Sequence, residues 1–99
     1  GTAMFEALDE ALRIMTGYNL DSYTPAIILM TDGRANGSMQ LDDFLQVYAS
    51  HGNDIPVFCI SFGEADLSTL DALAERTHAR VFDGDKDLIG AFKKAKGYN

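Results

Sequence analysis

The chain is short of cysteine, of cations and of long apolar runs, and each shortage closes off a class of protein. A single cysteine, Cys59, leaves no partner for an intrachain disulfide. It sits in the apolar run VFCISF, where a buried structural thiol is the expected role. A chain without disulfides leaves its compartment open. Only 8 Lys and Arg stand against 15 Asp and Glu, for a formal net charge of −7. Nucleic acid and anionic membrane surfaces are therefore poor partners. The exception is Lys93, Lys94 and Lys96, and cations in the last turn of a helix favour its negative end by ~0.3–1 kcal/mol each. No run reaches the roughly 20 apolar residues that span a membrane, and no signal-peptide pattern is found. Neither G-x-x-x-x-G-K-[ST] nor G-x-G-x-x-G occurs, so nucleotide binding has no motif behind it. Ser61 and Ser68 lack a G-x-S-x-G context, which leaves a hydrolase nucleophile unsupported. His51 and His78 follow helix ends and have no metal-ligand partner at i+4.

What remains is an ordinary globular composition, 46% hydrophobic and 23% charged over 99 residues, which fits one domain spanning 1–99. The first residue is Gly1, and the chain reads as excised from something longer. Residues 3–15 predict an amphipathic helix with Met4, Ala7, Leu8, Ala11, Leu12 and Met15 inward, Thr2 as N-cap and Gly17 as its end. Residues 26–31 and 57–62 are apolar without alternation, the pattern of strands covered on both faces of a parallel sheet. Between them, 39–50 places Leu41, Phe44, Leu45 and Tyr48 on one helical face, stopped by His51-Gly52-Asn53. A third helix follows at 67–77, with Asp66 as cap and Leu67, Leu70, Leu73 and Ala74 inward. A short strand at 80–83 and a last helix at 87–96, with Leu88, Ile89, Ala91, Phe92 and Ala95 as its apolar positions, complete the chain.

Strands separated by helical crossovers imply an α/β fold with a parallel sheet. Right-handed crossovers place the three strands in sequential order, with the four helices on the two faces. This is half of a doubly wound, Rossmann-like sheet. Such sheets bind ligands outside the carboxyl ends of their strands. The stretch PAIILMTDG ends its strand there, on Asp32. A turn role for Asp32 is the plain alternative, since Asp-Gly is a common turn pair. The stretch DGRANGSMQLDD fails as a calcium loop, because Arg34 stands at the third position and the twelfth is not Glu. The carboxylates of DGDKD, from Asp83 to Asp87, fit a solvated turn and a helix cap.

GTAMFEAL, PAIILMTDG, IPVFCISFGEADLSTLDALAERTHARVFDG and DLIGAFKKA, in that order, resemble the C-terminal part of the von Willebrand factor type A domain. The resemblance covers nearly the whole chain. It implies a metal-ion-dependent adhesion site in which Thr2 matches the threonine and Asp32 the aspartate. The D-x-S-x-S loop of that site, and the strands before it, have no match here. The site is therefore incomplete. Mg²⁺ or another divalent cation is expected in an intact domain, where a protein ligand's carboxylate completes the coordination shell. One hydroxyl and one carboxylate alone are expected to hold a cation at the millimolar level at best.

The resemblance points to a non-enzymatic protein-binding module. The alternative is a receiver-like or other doubly wound enzyme or signalling domain with Asp32 as acceptor. Receiver-like domains need further acidic residues at an earlier strand end and a lysine at a later one, where this chain has Ser61-Phe62-Gly63. A further expectation concerns strand 26–31. It is an apolar edge, and such an edge is a template for self-association.

Overall fold

The computed structural model describes residues 3–17, 25–31, 39–52, 54–63 and 66–97. Within them four helices and three strands alternate: α1 (Met4–Thr16), β1 (Ile27–Thr31), α2 (Leu41–His51), β2 (Val57–Ser61), α3 (Leu67–Arg76), β3 (Val81–Asp83) and α4 (Leu88–Gly97). The strands form a parallel sheet in the order β1-β2-β3. The α/β class and the sequential strand order are as the crossover argument requires. Every element lies within two residues of its expected place.

The ends of the helices show why they stop and start where they do. α2 begins at Leu41 rather than 39 because Gln40 is its N-cap, donating its backbone N–H to Asp43 Oδ2 at 3.0 Å. It ends on Gly52 at φ 70°, a left-handed conformation open to glycine at little steric cost. Asp66 caps α3 as expected, accepting from Thr69 N. The expected Thr2 cap of α1 is not found. Ala3 holds the N-cap position, where its carbonyl accepts from Ala7 N at 3.0 Å, and Thr2 itself lies outside the described residues.

One face of the sheet carries the main core. Ile27, Val57 and Cys59 meet Phe5, Leu8 and Leu12 of α1, Phe44 and Tyr48 of α2, and Leu70 and Leu73 of α3. α1 packs chiefly on α2, which turns Phe5 inward to Phe44 with ring centroids 6.0 Å apart. Ala7, expected inward, is exposed for the same reason. Two buried hydrogen bonds lock this layer. Tyr48 Oη donates to Ile55 O at 2.7 Å, and Thr77 Oγ1 accepts from Val57 N at 3.0 Å.

The opposite face is built differently. Phe58 and Ile60 of β2 and Phe82 of β3 point to it, with Phe58 and Phe82 stacked at 6.5 Å. α4 contacts β2 and β3 and buries only its alanines, Ala91 and Ala95. Leu88, Ile89 and Phe92, the other apolar positions of this helix, are 42%, 69% and 41% exposed. Leu67 of α3, expected inward, is half exposed at 51% in the first turn of its helix. The expectation that both long strands are covered on both faces holds for β2 alone. Every residue of β2 is buried, whereas in β1 Ile28 is partly exposed and Met30 is 47% exposed. α4 lies over β2 and β3 and leaves that side of β1 open.

Candidate functional site

The carboxyl ends of the three strands finish almost level. Thr31 is paired with Ser61, and Ser61 with Asp83. The pairing runs one step further on each side. Phe62 N donates to Thr31 O at 3.1 Å, and Gly84 N donates to Ser61 O at 2.8 Å. Gly84 is buried there, where a Cβ would lie 2.7 Å from both Ile60 Cγ2 and the Phe62 ring. The strand ends and the loops after them therefore make one edge, the place where parallel α/β sheets bind ligands.

Both residues expected to ligate a metal, Thr2 and Asp32, lie outside the described residues. Asp32 is the next residue in sequence after Thr31, the last residue of β1. Among the described residues no group of three or more His, Cys, Asp and Glu could hold a metal ion. The described carboxylates along this edge are engaged with donors of the chain itself. Asp85 Oδ2 accepts from Gly63 N at 2.7 Å, tying the loop after β2 to the turn after β3. Asp83 Oδ1 accepts from Asp85 N at 2.9 Å, and Asp87 Oδ1 accepts from Gly90 N at 2.9 Å. The stretch 83–87 is thus the turn and helix cap that its composition suggests. Asp66 accepts from both Ser68 Oγ and Thr69 Oγ1, at 2.7 and 2.8 Å. Those hydrogen bonds, Ser68 first, hold its carboxyl below the usual range. Each of these carboxylates serves a cap or a turn.

The other reactive side chains are spoken for. Ser61 is buried and donates its hydroxyl to Phe82 O at 3.3 Å, which makes it a link between β2 and β3. Burial, with the nearby Asp71 carboxylate as a smaller cause, pushes the Cys59 thiol up to about 12. It is an inert core residue, as its apolar run suggests. His78 sits at φ 60° just past α3. Sequence reasoning missed the Asp85–Gly63 and Thr77–Val57 ties. They join residues 22 and 20 positions apart, and no local pattern marks them.

Between β3 and α4 lies a shallow cleft of about 140 Å³, with Phe82 and Ala91 at its floor and Asp83, Lys86, Asp87, Gly90 and Lys94 around it. Its charges are of both signs and it has no enclosed reacting centre. No helix among the described residues is long and apolar enough to cross a membrane. Comparison with family models, with curated proteins and with solved structures gave no match to this chain.

Proposed function

We propose that the chain is a non-enzymatic protein-binding module of the adhesion type, similar to the C-terminal part of a von Willebrand factor type A domain. In this reading Asp32 and Thr2 contribute to a divalent-cation site at the carboxyl edge of the sheet, and a carboxylate of the protein ligand completes the coordination shell. Mg²⁺ suits such a site because it binds few protein oxygens and retains waters. The observation that supports the reading best is the level edge itself. β1 ends on Thr31, hydrogen-bonded to the strand beside it, so the residue that follows in sequence is Asp32.

The test is a Mn²⁺ and Mg²⁺ titration of the chain and of Asp32→Ala. Weak binding, with a dissociation constant on the order of 1 mM, that is lost in the variant supports the reading. Binding indifferent to Asp32 overturns it. A beryllofluoride phosphoryl mimic separates the receiver-like alternative. Saturation by the mimic at micromolar concentration, dependent on Asp32, would transfer the assignment to a signalling domain.

The same reading includes self-association through strand 26–31. Among the described residues β1 has a strand on one side only, and its residues Ile27 to Thr31 include no charge and no proline. An uncharged edge strand is a template for pairing with another chain. Sedimentation velocity over a hundredfold concentration range would show a mass that rises with concentration. A constant monomer mass would remove this part of the proposal.

A further inference from the structure

We draw no further inference here: the strongest candidate, the shallow cleft between β3 and α4 around Phe82, Lys86 and Lys94, carries charges of both signs, its Asp87 is engaged in accepting from Gly90 N, and nothing in the structure shows what would occupy it.

Discussion

The two faces of the sheet are held in opposite ways. On the face of α1, α2 and α3, large side chains point inward, with Phe5, Phe44, Leu12, Leu70 and Leu73 all within 1% of complete burial. On the opposite face Phe58 and Ile60 of the sheet are buried, but α4 itself turns only its alanines inward and leaves its largest apolar residues out. Alanines let the helix approach the sheet closely over Phe58 and Phe82, but they bury little area, and each square ångström of apolar burial contributes roughly 25 cal/mol. The α1–α3 face therefore holds the larger side-chain core, and the α4 helix leaves its large apolar side chains exposed.

The sharpest way to test that contrast is a matched pair of truncations. Phe44→Ala, in the core between Phe5 and Tyr48, is expected to cost about 3–5 kcal/mol. Phe92→Ala on α4 is expected to stay within about 0.5 kcal/mol. Urea unfolding of both checks this, and comparable losses would erase the distinction between the faces. Next in size is Gly84→Ala, which probes the one tight point on the α4 face. Its Cβ would press on Ile60, fully buried and unable to move aside, so a loss of about 1–3 kcal/mol is expected.

Thr77→Val tests the other layer by a polar route. It keeps the shape but strips the acceptor from Val57 N, buried at the start of β2, at an expected cost of about 1–3 kcal/mol. A neutral result would mean that the Val57 amide finds another partner.

Cys59 reports on the covered face without a mutation. Its thiol is raised from 9.0 to about 12 in the folded chain, so it is protonated and unreactive at pH 8. Iodoacetamide should label it only at the rate of opening. The sign of the linkage follows from the raised value. The contribution of Cys59 is complete below about pH 9 and is lost as pH rises toward 12, at a limiting slope of about 1.4 kcal/mol per pH unit. Rapid labelling under native conditions would mean that the core face is open. The smallest expected effect is Ile89→Ser, within about 0.5 kcal/mol, because that side chain is already mostly in water.

Much of the fold was legible because it rests on local pattern. β2 reads as a strand covered on both faces from four apolar residues in a row, Val57 to Ile60, and all four are buried. Asp66 reads as a cap and is one. β1 has the same kind of pattern and a different fate, since whether a face is covered depends on what packs there. α4 shows the same limit. Hydrophobicity marks Leu88, Ile89, Ala91, Phe92 and Ala95 alike, and packing against the sheet buries only Ala91 and Ala95. The candidate site was legible as a position, Asp32 after a strand end. Its possible ligands come from segments far apart in sequence, which local pattern does not join.

By itself the amino-acid sequence determined the kind and order of the elements, because helix and strand follow from periodicity and from caps within a few residues. It also determined that the strands run parallel, because each crossover holds a helix. Only the tertiary structure decided which apolar residues are core and which are surface. Burial is set by the close approach of whole elements, and that depends on side chains distant in sequence meeting at van der Waals contact.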